Sequence, residues 1–430
     1  MRITLVGAGI GGLAAAASLH DAGFEDVTVF EAAPRLSEQG FGLNILPNAV
    51  RELAELGLLD ELRQQAVQTR ELMMCSPRGR LVWREDRGLS AGYAWPQLSI
   101  SRARLVAVLA AEVRRRLGDG AVVTGTRLAA LDAAGGRPRA VLVQENGVRR
   151  TVETDVLVGA DGIHSAVRAA FYPAEGPPRA NGVTMYRGTV RGERFLTGRS
   201  MAVLGDDRRR LVLYPIDHGD HGGCLINWVA AFPDATAGTP PGAEDVQGMR
   251  QTLLREFGGW SPPGLDLVGV IGETERIHRY PMIDRDPVGR WTFGRVTLLG
   301  DAAHAMYPAG SNGATQAVID ARVLAWHLAS CSDAGDALRA YEADRLPQMT
   351  ELQQSNRSMG PERVLTLAHQ RAPLGFERIE DVFSEEELAE ISRTYAATGK
   401  FDQEGVNSRP SLTVRRRGRT AVRRNKGRAE

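Results

Sequence analysis

Lysine is almost absent from this chain: of 53 basic residues only Lys400 and Lys426 are lysines. The arginine bias marks GC-rich coding more than function. Cysteine is scarce too, with Cys75, Cys224 and Cys331 widely spaced and odd in number. They give no disulfide framework, which suits a reducing cytoplasm. Together with the eight histidines they show no ligand spacing, so no metal site is expected. No run of about 18 apolar residues occurs, so no membrane span is expected. The first apolar stretch, Ile3 to Val6, runs straight into glycines, unlike a signal peptide. P-loop, nucleophile-elbow and paired-carboxylate patterns are missing as well. Net charge is only +1, which excludes a nucleic-acid binder acting through its whole surface. Eight basic residues cluster between Arg415 and Arg428, leaving 45 basic and 51 acidic residues in the chain up to that tail.

The 430 residues make two to three domain lengths, at a composition (43% hydrophobic, 24% charged) typical of globular proteins. Arg2-Ile3-Thr4-Leu5-Val6 reads as a buried parallel strand. It enters Gly7-Ala8-Gly9-Ile10-Gly11-Gly12, followed by a helix from Leu13 to Asp21 with Gly23 as C-cap, then a strand Val27 to Phe30. Gly7 permits the tight turn, Gly9 lets a diphosphate approach the backbone, and Gly12 lets helix pack on strand. Glu31 lies 19 residues beyond Gly12, where a carboxylate can accept hydrogen bonds from a ribose diol. Strand, helix, strand and acid in register predict dinucleotide binding. The motif leaves NAD and FAD open.

Two further strands end in motifs. Val156 to Val158 enters Gly159-Ala160-Asp161-Gly162-Ile163-His164-Ser165, with Arg168 beyond. Val296 to Leu299 enters Gly300-Asp301-Ala302-Ala303-His304, then Tyr307-Pro308-Ala309-Gly310-Ser311-Asn312-Gly313 and a helix from Ala314 to about Ala329. With Gly42-Leu43-Asn44-Ile45, Met185-Tyr186-Arg187-Gly188 and Tyr280 to Pro287, these motifs resemble the FAD-dependent aromatic-ring hydroxylases of the para-hydroxybenzoate hydroxylase type. The likeness is greatest to the salicylate and phenazine-carboxylate hydroxylase branch and covers roughly residues 1 to 350.

The resemblance implies bound FAD, NADPH or NADH as a visiting co-substrate, and O2. By that likeness Asp301 meets the ribityl chain, Arg102 the diphosphate, and Asp161 with Gly162 the cofactor and nicotinamide. It also implies that Gly310, Asn312 and Gly313 face the anionic edge of reduced flavin, where a helix N-terminus favours negative charge. Gly7, Gly9, Gly12, Glu31 and Gly42 complete the expected cofactor set. Arg35, Arg104, Arg168 and His164 read as surface, helix-face or capping residues at least as well as ligands. No protein residue is assigned the chemistry itself. Pro308 and His304 are weak candidates near the flavin, His304 reading better as a packing residue.

Between Asn181 and Pro281 strand-like stretches (Gly182 to Arg191, Ser200 to Leu204, Arg210 to Pro215, Cys224 to Ala231) alternate with turns such as His218 to Gly223 and Ala237 to Gly242. The expected fold is α/β: a Rossmann-like FAD-binding domain with an inserted antiparallel β-sheet substrate domain and a C-terminal helical region. Expected divisions are 1–180 for FAD, with a substrate-side excursion near 72–98, and 181–280 for the sheet. FAD binding resumes over 281–350, before helices over 351–410 and a basic, disordered tail over 411–430. Candidate substrate contacts are Tyr186, Met201, Tyr214, Asn227, Trp228 and Pro308. Arg187 could pair with a substrate carboxylate, but alternation sends it to the opposite face from Tyr186, so at most one of them meets the pocket. Ser384-Glu385-Glu386-Glu387 begins a capped helix to about Ala397, read as packing or an interface.

The expected function is single-component hydroxylation of a phenolic or heteroaromatic carboxylate through a flavin C4a-hydroperoxide, in bacterial specialised metabolism such as antibiotic biosynthesis. Baeyer–Villiger or epoxidising chemistry on a polycyclic substrate is the alternative. An NAD-linked dehydrogenase leaves the Gly300 to Gly313 motif unexplained, and a regulator tethered to nucleic acid by the tail fails if truncation after Leu412 leaves nucleic-acid binding unchanged. The expected partner is a small aromatic substrate, with no nucleic acid, in a monomer or homodimer.

Overall fold

A computed structural model describes residues 1–36, 40–219, 222–234 and 245–414. The turn expected at Ala237 to Gly242 and the basic tail from Arg415 lie outside the described residues.

Ile3–Val6 is buried at every position, as a central parallel strand must be. It pairs in parallel with Val27–Phe30 on one side and Val156–Gly159 on the other; Val296–Leu298 and Val122–Val123 complete a five-stranded parallel sheet. The three glycine-bearing motifs therefore leave the same sheet edge, at the C-terminal ends of neighbouring strands, where open α/β sheets hold ligands. Helix α1 (Ile10–Asp21) is alanine-rich and buried nearly all round, which suits a helix enclosed between sheet and other helices. It begins at Ile10, earlier than its apolar run suggests, because the glycines themselves form its first turn. Gly23, at φ 92°, takes the left-handed position past its end.

Helix α2 (Arg102–Leu117) and the short α3 (Ala166–Phe171) follow in the chain. Beyond the third motif come α4 (Asn312–Ser330), α5 (Ala334–Arg357) and, near the C-terminus, α6 (Glu385–Thr398). Helix α6 has the expected cap, the Ser384 hydroxyl accepting the Glu387 N–H at 3.2 Å.

The second large sheet has seven strands in the order 278–284, 179–193, 223–233, 210–215, 200–205, 71–75 and 81–86. It is not wholly antiparallel: Ser200–Gly205 runs parallel to Glu71–Cys75, a strand delivered from the first half of the chain. One face packs on the helices Val246–Phe257 and Leu267–Glu273 through Tyr186, Trp228, Ile226 and Leu213. Its other face is covered at the far edge by C-terminal helices, where Leu72, Met74 and Val203 meet Val364, Leu365 and Leu388. Toward the parallel sheet the same face is left open. Among the described residues no helix is long and apolar enough to cross a membrane, and no metal-holding cluster occurs.

Candidate functional site

The first three glycines have separate jobs. A Cβ on Gly12 would stand 1.9 Å from the Gly7 carbonyl oxygen, and one on Gly7, at φ 106°, would stand 2.3 Å from that of Ala160. Both positions let backbone meet backbone. A Cβ on Gly9 would meet nothing within 4 Å, so the absence of a side chain there keeps open space rather than packing. Glu31 ends its strand with one carboxylate oxygen accepting the Ala8 N–H at 2.7 Å and the other that of Ala33 at 2.8 Å. Each oxygen retains a lone pair for a diol.

A cavity of about 660 Å³ runs from these glycines to the open face of the seven-stranded sheet, a volume in the usual range for small-molecule sites. Gly9, Gly42, Arg102, Gly162, Asp301, Pro308, Gly310, Asn312 and Gly313 all line it, with Tyr214 and Met201. Arg102 is exposed at the start of α2, and Asp301 is exposed at the start of its short helix. Neither side chain has an ion pair or hydrogen bond among the described residues. An unpaired cation, an open glycine and a free carboxylate along one cleft fit a long ligand carrying phosphates and a polyol. FAD is such a ligand, so the residues present fit that cofactor.

Gly7, Gly12 and Glu31 do not line the cavity, and four other expected contacts lie elsewhere. Asp161 does not reach the cavity: its carboxylate accepts Ser165 Oγ at 2.5 Å and the N–H groups of Ala166 and Val167, capping α3. Burial raises its pKa, with those hydrogen bonds opposing. Tyr186 points into the opposite core, stacked on Phe232 at 5.3 Å, its hydroxyl donating to Asp234. Trp228 is fully buried beside it and donates to Thr274 Oγ1 at 2.9 Å. Asn227 is also fully buried, its Oδ1 accepting the Gly42 N–H at 2.7 Å. Of the Tyr186 and Arg187 pair, Arg187 takes the cavity, with Met185 and Val183 two and four residues before it.

His304 is likewise withdrawn. It is fully buried, its Nε2 2.6 Å from Asp320 Oδ2, while Arg345 Nε donates to the other oxygen at 2.7 Å. Burial works to raise the Asp320 carboxyl, but the His304 and Arg345 charges outweigh it and hold it down at about 2. This network braces α4 and α5 behind the cleft. Arg168 is also buried and donates to the carbonyls of Ala302 (3.2 Å) and Ala303 (2.8 Å), stitching the second motif to the third. His164 is exposed, and Arg104 reaches toward Asp217 at 3.8 Å.

The chamber floor is apolar. Met185, Ala231, Val229, Val212, Met201 and Leu72 come from five neighbouring strands, which at about 4.8 Å per strand span roughly 19 Å. Arg187 stands at one border, donating to the Gly42 carbonyl at 2.9 Å and lying 4.9 Å over the Phe41 ring, its Nε unpartnered. Burial lowers its pKa, with Tyr214 opposing; burial pushes the Tyr214 phenol up to about 12 against the Arg187 charge. At another border Glu362 lies near Arg210, whose Nη2 donates to Thr366 Oγ1 at 2.6 Å. Burial raises the Glu362 carboxyl, with Arg210 opposing.

Glu362 and Thr366, with Tyr395 and Phe401, line the cavity from the C-terminal helical region, where the sequence marked no site residue. Nothing local marks them: each lies in an ordinary helical or turn pattern. Arg187 did carry a signal, since one parity of its strand had to face the pocket.

The family described as FAD binding domain matches residues 1–204 and 228–356. The chain is 43% identical over 361 residues to a phenazine 1,6-dicarboxylic acid hydroxylase of Lysobacter antibioticus, covering 83% of this chain and 89% of that protein. It is 36% identical over 370 residues to a 3-amino-4-hydroxybenzoate 2-monooxygenase of Streptomyces platensis, covering 84% and 88%. The crystal structure of Klebsiella pneumoniae HpxO complexed with FAD and uric acid superposes with a TM-score of 0.73 at 25% identity, covering 93% of this chain and 96% of that one.

Proposed function

Given that this chain belongs to the FAD-binding-domain family and is an FAD-dependent aromatic hydroxylase, we propose that its substrate is a planar polycyclic heteroaromatic carboxylate. The apolar floor carries this reading. It spans five strands, wider than one ring needs, and a half-buried arginine stands at its border. The relative from Lysobacter is named for a tricyclic dicarboxylic acid, which supports the same substrate class. NAD(P)H and O2 are the co-substrates. We place the reaction in the cytoplasm, where NAD(P)H is available and the three free cysteines remain reduced.

Bound FAD supplies the relay of electrons from NAD(P)H to oxygen and the delivery of one oxygen atom to the ring. In this reading the chain's own residues do the positioning. Gly9 leaves room for the diphosphate, Arg102 neutralises it, Glu31 takes the ribose, and Asp301 the polyol chain. The N-terminus of α4, at Gly310 to Gly313, sets a positive potential on the cavity wall. Arg187 holds the substrate carboxylate by a charge-assisted hydrogen bond, with Tyr214 beside it. Met185, Val212, Val229 and Met201 support the ring and exclude water, protecting the reaction from leakage.

The test follows the flavin spectrum during NADH or NADPH addition with phenazine-1,6-dicarboxylate, phenazine-1-carboxylate, salicylate or 3-amino-4-hydroxybenzoate present. A polycyclic acid should accelerate bleaching at least tenfold more than either single-ring acid and leave a hydroxylated product. Acceleration confined to single-ring acids refutes the substrate class. A protein that stays colourless with FAD supplied refutes the cofactor assignment as well.

A further inference from the structure

The turn before α4 is held in a shape it does not favour by itself. Gly310 lies at φ 65° and Ser311 at φ 60°, so a residue with a side chain occupies the left-handed region directly after a glycine that does so. Such a turn persists only where its surroundings over-determine it. The surroundings come from α6. A Cβ on Gly310 would stand 2.1 Å from the Tyr395 hydroxyl oxygen, and one on Gly360 would stand 2.8 Å from the same ring. Tyr395 is 6% exposed, and its ring is wedged between these two turns.

The hydroxyl completes the clamp. It accepts Asn312 Nδ2 at 2.8 Å and lies 2.8 Å from Asn356 Oδ1 and 3.1 Å from the Ala309 carbonyl oxygen, either of which can receive its proton. Asn312 also donates to the Gly310 carbonyl and accepts Gln316 Nε2, so the hydroxyl is tied to both sides of the turn and to the first turn of α4. Burial raises the Tyr395 phenol well above the usual range, which keeps the hydroxyl neutral and able to donate. Phe401 backs the ring edge-on at 5.6 Å. Tyr395 and Phe401 lie beyond residue 356, where the family match ends.

We propose that Tyr395 is a positioning residue for the cofactor, holding the Ala309 to Asn312 turn so that the α4 N-terminus favours the electron-rich, reduced form of FAD. The inference rests on the FAD assignment above. An N-terminal dipole does little for a neutral ring and more for a negatively charged one. Loosening the turn should therefore weaken reduced FAD selectively, whereas a packing defect weakens both redox forms alike.

The experiment uses the full chain with Tyr395→Phe, which keeps the ring and removes the hydroxyl, and Tyr395→Ala, which removes both. Affinity for oxidised FAD is read by fluorescence quenching, and the two-electron midpoint potential reports the ratio of reduced to oxidised affinity. The Phe variant should leave oxidised FAD within about threefold of wild type. Its reduced FAD should bind roughly tenfold more weakly, a potential lower by about 30 mV. The Ala variant, if it folds, should fall further. Equal loss in both redox forms, or no change in the Phe variant, reduces Tyr395 to packing and overturns the proposal alone. Wild-type protein that binds no FAD overturns the cofactor assignment together with it.

Discussion

Gly9→Ala and Gly12→Ala separate cofactor binding from folding within one motif. Gly9 sits at φ −74° and ψ −175°, extended backbone that any residue adopts, and its Cβ would meet nothing within 4 Å. Alanine there removes freedom from the unfolded chain, a gain of about 0.4–1 kcal/mol. Gly9 is also the N-cap of α1, where alanine is poorer than glycine by a comparable ~0.5–1 kcal/mol. The two nearly cancel, so the FAD-free protein should melt within about 3 °C of wild type. At Gly12 the new Cβ would lie 1.9 Å from a backbone oxygen that no side-chain rotation can move. Strand and helix must separate, at a cost above about 3 kcal/mol. FAD affinity should fall at least about tenfold in Gly9→Ala, because its methyl occupies the approach reserved for the diphosphate. Thermal melts of FAD-free protein and fluorescence titration of FAD read the two quantities independently. Wild-type FAD affinity in Gly9→Ala would show that nothing approaches this glycine. A melt as low as that of Gly12→Ala would refute the packing argument.

Arg187→Met should weaken an aromatic carboxylate by about 10- to 100-fold, the worth of a charge-assisted hydrogen bond, and its methyl ester little. Equal effects on acid and ester, measured by flavin absorbance titration, would remove Arg187 from carboxylate recognition. Asp301→Ala should lose FAD while the FAD-free protein keeps its melting temperature. Asp161→Ala should instead lose about 1 kcal/mol of stability through the α3 cap and keep most FAD affinity; the opposite pattern would exchange their roles. Asp320 titrates at about 2 when folded against an ordinary 3.8, so its carboxylate contributes about 2 kcal/mol of stability. A depressed carboxyl stabilises above the unfolded value and loses that contribution as pH falls from about 4 to 2. Urea midpoints across that window should drop less steeply in Asp320→Asn than in wild type, and parallel slopes would refute the assignment.

The sequence by itself determined what depends on near neighbours along the chain. Ile3–Val6 and Val156–Gly159 are strands because short apolar runs pass into turn-forming glycines, and Val27–Phe30 because a short apolar run stops at Glu31. The Ser384 cap of α6 is readable because its partner N–H lies three residues on. Gly9 and Asp301 reach the cleft because each lies three residues past the end of a strand. Period-two alternation likewise settled that Tyr186 and Arg187 diverge. Which of them faces the cavity depends on what covers each sheet face, and that cover is the Val246–Phe257 and Leu267–Glu273 helices. Asp161 was spent on capping α3 through N–H groups five and six residues on, within local reach, whereas His304 went to Asp320, a partner on another helix whose approach in space no local spacing encodes. Tyr395 reaches a turn beginning 86 residues earlier in the chain. Only tertiary packing decides such contacts, because they form between segments whose separation along the chain carries no periodic signal.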